Sequence, residues 1–278
     1  MRLEGTYAAK RRLASPVDFS VVRIARFTLG DEIRYGIVGA AGEDSVTPIV
    51  GDPLYTPIQE AGSAVPLADV RLLAPVIPRS KVIGVGRNYA EHAAEMGNEV
   101  PAEPMLFLMP NTSVVGPNDP IVYPRHSTHI EHEAELAIVI GRLCKDVPAE
   151  RVPEVIFGYT CANDVSARDL QKRDGQWARA KGFDSANPIG PWIETELDWS
   201  DLAVECTVNG AVVQSGRTSQ MVHDVTSLVV YISAAFTLLP GDLILTGTPA
   251  GVGPLQVGDD VAITVEGIGT LRNRVVSP

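Results

Sequence analysis

The sequence predicts a mixed, β-rich fold in which a small N-terminal α+β domain precedes a larger β-rich domain. Three observations carry that expectation. Short β-branched and aliphatic runs recur between Gly, Pro and Asn-Gly turn signals, only one long stretch keeps a helical period, and a proline-rich passage from Pro66 to Pro78 divides the chain. At 278 residues with 45% hydrophobic content, the chain is long enough for about two domains and an ordinary core.

In chain order, Ser20 to Phe27 and Ile33 to Val38 read as strands split by the turn residues Gly30 and Asp31, and they hold little that does chemistry. The boundary is placed in the proline-rich passage, giving domains 1–74 and 75–278. Lys81 to Gly86 then reads as a buried strand, followed by a short helix-prone stretch at 90–95 that Pro101 and Pro104 stop, with the form of a mobile lid. Leu136 to Ile140 and Val155 to Cys161 are expected core strands. Val204 to Val208 and Ala211 to Val213 flank Asn209-Gly210, the pair that suits a type I′ hairpin turn. One long helix is expected from Val222 to Leu239, with Ser219 as N-cap, Pro240-Gly241 as stop and His223 on it. Strands at 242–246, 261–265 and 270–276 complete the domain.

Composition excludes several functions. A formal net charge of −11 with no basic stripe argues against a nucleic-acid partner. Met1 to Tyr7 lacks the apolar core of a signal peptide, and no run approaches the roughly 18 apolar residues that span a bilayer, so a cytoplasmic protein with no membrane partner is expected. Cys144, Cys161 and Cys206 form no C-x-x-C pair and read as packing residues.

The chemistry-bearing residues begin with Glu133 and Glu135. In an extended strand both point to one face while Leu136, Ile138 and Ile140 point to the other. Like charges at that spacing repel, and a divalent ion with oxygen ligands (Mg2+, Mn2+ or Ca2+) relieves the repulsion; the alternative is a pair of solvated glutamates on an edge strand. Asp164 falls where the strand ending at Asn163 meets a turn, and Ser166 to Asp169 has capping-box form, so a helix is expected to start at Ser166. Arg168 and Gln171 would share a face of that helix, aimed at an anionic ligand, unless Arg168 pairs with Asp169 or Asp174. Lys181 is either solvated or a charge beside an enolate. His92 and Glu95, three apart, have the spacing of an imidazole oriented by a carboxylate for activating water, although Glu91 competes and a solvated histidine is the alternative. His126, His129 and His132 crowd the first carboxylates as outer partners or nitrogen ligands. Thr246 to Gly253 lacks a phosphate-loop ending, and its glycines and the Thr248 hydroxyl are expected to approach a small ligand.

In order and spacing, Gly86 to His92, His132 to Leu136, Asn163 to Asp169, Ala180 to Gly182 and Leu245 to Pro249 resemble the fumarylacetoacetate hydrolase family, from about residue 70 to the end. The resemblance implies a β-roll around Mg2+ or Mn2+ held by Glu133, Glu135 and Asp164, in a chain that forms a homodimer. It implies His92 and Glu95 as the catalytic lid dyad and Arg168, Gln171, Lys181 and Thr248 as substrate-binding positions, with Lys181 also catalytic as the charge that stabilises an enolate. The substrate class it implies is a small 2-oxo acid. The preferred activity is metal-dependent C–C hydrolysis of acylpyruvate-like 1,3-diketo acids. The alternatives are isomerisation of 2-hydroxyhepta-2,4-diene-1,7-dioate, decarboxylation of oxaloacetate, and a non-catalytic metal scaffold. One departure is Met109, where many relatives carry a lysine that would serve a distal carboxylate.

Overall fold

The computed structural model describes residues 22–40 and 42–278; the opening segment Met1 to Tyr7 and the first residues of the Ser20 to Phe27 run lie outside them. The expected mixed, β-rich class is what the chain adopts. Its main sheet runs, edge to edge, through Val65–Pro66, Gly42–Ile49, Glu32–Gly39, Arg23–Leu29, Asn187–Glu194, Ile156–Asn163, Ala134–Ile140, Leu243–Leu245, Val82–Gly86 and Met105–Met109. The N-terminal strands thus continue the sheet that carries the acidic motif. The join is antiparallel, Arg23 opposite Glu194 and Ile24 opposite Ile193. Ile24 is fully buried at the join and Phe27 farther along the same strand, each contributing about 2 kcal/mol of apolar burial.

Ala134–Ile140 is an interior strand, paired antiparallel with Ile156–Asn163 on one side and Leu243–Leu245 on the other. Both of its faces are apolar. Ala134, Leu136, Ile138 and Ile140 enter one core, while Ala137 and Val139 enter a second with Val82 and Met109. The alternative of solvated glutamates on an edge strand is therefore wrong, since the strand is interior and both side chains are buried.

A second sheet, ordered Ala211–Arg217, Ala203–Val208, Asp260–Val265, Gly269–Val276 and Ile121–Val122, packs against the first core. Its hairpin turns at Asn209 and Gly210, with φ of 52° and 82°, both positive as a type I′ turn requires. No helix among the described residues is long and apolar enough to cross a membrane.

Three helix boundaries differ from expectation. The long helix spans Val225–Ala235, because Asp224 caps it by accepting from the Ser227 N–H at 2.7 Å. Ser219 instead sits in a 3-10 turn and donates to Asp201 at 2.6 Å, which leaves His223 ahead of the helix. At the other end Phe236 is extended and Leu238 bridges to Cys144, so pairing stops the helix before Pro240. The helix expected at Ser166 starts at Arg168. Ser166 and Ala167 pair with Ile130–Glu131, and the Ser166 hydroxyl turns back to donate to the Asp164 carbonyl at 3.0 Å instead of capping.

Candidate metal centre

Strand pairing brings the three acids together. Glu133 precedes the interior strand and Glu135 lies within it; Asp164 follows the end of the neighbouring strand, where Ala134 faces Asn163 and Glu135 faces Ala162. The Asp164 N–H donates to the Glu133 carbonyl at 3.0 Å, and the Asn163 side chain accepts from the Glu133 N–H at 3.0 Å, which locks the two strand ends together. One carboxylate oxygen from each of Glu133, Glu135 and Asp164 lies within 4.8 Å of the other two, and all three residues are buried.

Two cations reach the cluster. Lys181, at the end of the short helix Ala178–Lys181, donates to Glu133 Oε2 at 2.6 Å and Asp164 Oδ2 at 2.8 Å. Its ammonium also stands 5.2 Å from the centre of the Phe107 ring, which fits because residue 84 is glycine: a β-carbon there would lie 2.2 Å from that ring. Arg168 forms an ion pair with Glu133 Oε1 at 2.7 Å and another with Glu131 at 2.6 Å, and donates to Gln171 at 3.0 Å. Neither sequence alternative for Arg168 holds. Asp169 accepts from Ser127 and Thr128, and Asp174 pairs with Arg173 and Arg179.

Glu135 receives far less. Among the described residues its one hydrogen-bond donor is the Gly247 N–H at 2.7 Å. Burial pushes its carboxyl well above the usual range, and the Asp164 and Glu133 charges push the same way. Burial also raises Asp164, to about 6, with Lys181 opposing and Glu133 adding. At Glu133 burial is outweighed by Lys181, Arg168 and His92, which hold its carboxyl at about 2. Lys181 is raised because Asp164 and Glu133 outweigh its own burial. Three carboxylates thus face two cations, with one acid left uncompensated. That all-oxygen, buried and net-negative donor set fits a hard divalent ion.

His92 and Glu95 lie on the helix Ala90–Glu95, with Nδ1 3.3 Å from Oε2, and His92 is buried at the cavity wall. Both Glu95 oxygens accept from the Gly251 N–H, at 3.1 and 3.2 Å. The glycine loop therefore holds the site's carboxylates directly, donating through Gly247 to Glu135 and through Gly251 to Glu95. Thr248 donates to the Ala134 carbonyl at 2.8 Å and accepts from Gln214 at 2.9 Å. A cavity of about 320 Å3 opens on Glu133, Glu135, His92, Arg168, Lys181 and Thr248, with Gln171 also in its wall.

Sequence reasoning did not find Glu131 or Gln214. Gln214 accepts from His132 Nδ1 and the Ala134 N–H and donates to Thr248 and Pro249, so its buried amide ties the acidic strand to the loop. Its position in a hairpin strand gives no sign of this. His132 and His129 are outer partners, to Gln214 and Glu131 respectively, and His126 is exposed. Burial lowers the His132 pKa, despite opposition from Gln214 and the nearby acids. Met109, in contrast with a cation facing the substrate, is buried at 3% exposure in the second core.

Residues 81–276 match the family described as fumarylacetoacetate (FAA) hydrolase, C-terminal, and residues 22–75 match one described as Rv2993c-like, N-terminal. Protein Rv2993c of Mycobacterium tuberculosis is 54% identical over 262 residues, covering 92% of this chain and 98% of that protein. The crystal structure of 5-carboxymethyl-2-hydroxymuconate delta-isomerase from Mycobacterium smegmatis superposes with a TM-score of 0.85 at 53% identity, covering 92% of this chain and 100% of that one. Fumarylpyruvate hydrolase from Pseudomonas aeruginosa, solved in complex with Mn2+ and pyruvate, superposes with a TM-score of 0.69 at 35% identity, covering 75% and 92%. With that match over most of its length, the chain belongs to the fumarylacetoacetate hydrolase family.

Proposed function

We propose that this chain is a divalent-metal-dependent enzyme of small 2-oxo acids that cleaves a C–C bond in acylpyruvate-like 1,3-diketo acids. The observation that carries the reading is a single cavity with an undercompensated carboxylate cradle and, in its wall, a buried imidazole backed by a carboxylate. Glu133, Glu135 and Asp164 would hold Mg2+ or Mn2+, and the bound ion would supply Lewis-acid polarisation of the substrate's carboxylate and 2-oxo oxygens. The Mn2+ and pyruvate of the Pseudomonas hydrolase support both halves of that assignment.

The chain's own groups do the rest. Arg168, steadied by Gln171, presents a guanidinium to the substrate carboxylate, and Thr248 backs the strand that carries the acids. His92, oriented by Glu95, takes a proton from the water that attacks the distal carbonyl. The C–C bond breaks, its electron pair passes to the pyruvate-type fragment, and His92 returns the proton to that fragment's carbon. Lys181 stabilises the negative charge that develops there.

Isomerisation is the second reading, and the 53% identity to the Mycobacterium smegmatis isomerase favours it. It needs only a proton shuttle, whereas decarboxylation of oxaloacetate needs loss of CO2 followed by protonation of the enolate left behind. Wild type and His92→Ala, each assayed with an acylpyruvate, a hydroxy-dienedioate and oxaloacetate, separate the readings by cleavage, ultraviolet shift and CO2 release. His92→Ala should keep its metal and lose hydrolysis about 100- to 10,000-fold. A wild type that tautomerises the dienedioate but never cleaves the acylpyruvate transfers the site to isomerisation. Metal-dependent melting with no turnover of any acid marks a scaffold.

A further inference from the structure

The cavity over the triad holds a cation that the triad does not engage. Arg168 already pairs with Glu131 and Glu133, and Lys181 with Glu133 and Asp164, whereas no carboxylate lies within ion-pair distance of Arg87 among the described residues. Arg87 is half-buried in the turn after the Val82–Gly86 strand. It lines both the 320 Å3 cavity and an adjoining one of about 670 Å3 that is walled by Met105, Phe107, Trp177 and Phe236.

Its backbone adds a second observation. Arg87 has φ of 59°, in the left-handed region that side chains with a β-carbon rarely adopt. The next residue imposes that conformation: Asn88 donates to the His223 and Thr246 carbonyls at 2.9 and 2.7 Å and accepts from the His223 N–H at 2.9 Å. Glycine is the residue this backbone favours. An arginine here meets a conformational cost with no ion-pair partner among the described residues to offset it, and such outliers concentrate where a ligand is gripped.

We infer that Arg87 determines specificity for the far end of the substrate. Its guanidinium receives a second carboxylate in a bidentate pair, so the preferred ligand is a 2-oxo dicarboxylate and not an oxo acid with a neutral tail. The inference rests on the oxo-acid reading above. It also supplies the distal cation that position 109 lacks, since Met109 faces the core. Lys172, exposed at the rim of the same cavity, is the competing candidate.

Calorimetric titration of the Mn2+-loaded protein reads the preference without turnover. The ligands are 2-oxoglutarate, 2-oxoadipate and 2-oxopimelate, each against the monocarboxylic 2-oxo acid of equal length, with oxalate as a head-only ligand. At least one diacid should bind about 10- to 100-fold more tightly than its monoacid. Arg87→Gly, which suits the backbone, should keep the melting temperature and the affinities for oxalate and the monoacid while erasing the preference. Arg87→Lys should keep part of the preference, and Lys172→Met all of it. Equal binding of diacid and monoacid by wild type, a preference that survives Arg87→Gly, or one that disappears with Lys172→Met overturns the role of Arg87 and leaves the oxo-acid reading standing. Failure of every acid and of oxalate to bind overturns both.

Discussion

Two buried acidic positions in this chain are treated in opposite ways. Asp242 has no solvent exposure, and every demand it makes is met: it pairs with the Lys81 ammonium at 2.5 Å and accepts the Lys81 and Leu239 N–H groups at 3.1 and 2.9 Å. That cluster ties the start of the Val82–Gly86 strand to the turn ahead of Leu243–Leu245, and it is structure. The triad sits across the same sheet with three carboxylates, two cations and a Glu135 served by one backbone N–H. A buried charge left short of partners costs stability, so the chain carries it only where something else completes it. On the proposed function, the contrast is that between a structural acid and a metal-holding one.

The sharpest way to break this contrast is Glu135→Ala. Metal retention and turnover should be abolished, while the metal-free protein melts no lower than wild type, because the deleted carboxylate had little to offset its burial. Metal content by mass spectrometry and melting of the metal-free protein by calorimetry report the two halves. Metal content equal to wild type would remove Glu135 from the ligand set, and a large drop in apo stability would erase the distinction from Asp242. The next largest effect is the converse. Asp242→Ala strands the Lys81 ammonium and the Leu239 N–H, so unfolding in denaturant should show a loss of about 3 to 5 kcal/mol with Mn2+ affinity unchanged. Equal stability of the variant and wild type would make that pair incidental.

What the sequence disclosed about these clusters follows from the range of the interactions involved. Glu133 and Glu135 share a face by the two-residue period of a strand, and Asp164 falls at a strand end by local turn chemistry, so both were legible. The same local logic placed His92 beside Glu95 and the hairpin turn at Asn209-Gly210. Whether Ala134–Ile140 is an edge or an interior strand depends on partners distant in sequence, so the solvated-glutamate alternative stayed open. The ion pair of Arg168 with Glu131 and the four bonds of Gln214 are likewise tertiary and leave no local trace. The helix start failed for a different reason: Ser219 and Asp224 are both good caps, and an aspartate of another turn, Asp201, claimed the serine hydroxyl. At position 109 the alternation gives the face but not the depth, and depth is what puts Met109 in the core.

The smallest expected effect sharpens the contrast by a proton. Glu133, held at about 2 by its two cations, is ionised throughout the accessible range, whereas Asp164 is raised to about 6 and Glu135 is raised as well. A carboxyl with a raised pKa binds its proton more tightly in the folded, metal-free chain than in the unfolded one. Apo stability from Asp164 therefore falls as pH rises from the ordinary carboxylate range through about 6. Cation binding requires the ionised oxygens, so Mn2+ affinity should move the other way, rising with pH by about tenfold per unit for each proton displaced. Mn2+ titrations between about pH 5 and 8, run beside melting curves of the metal-free protein, test both slopes together. Affinity that is flat across that range would mean that all three acids are already ionised without a cation, and the difference between triad and Asp242 would shrink to a count of hydrogen bonds. Opposed slopes would show that the same missing charge that destabilises the empty cradle is what draws the ion in.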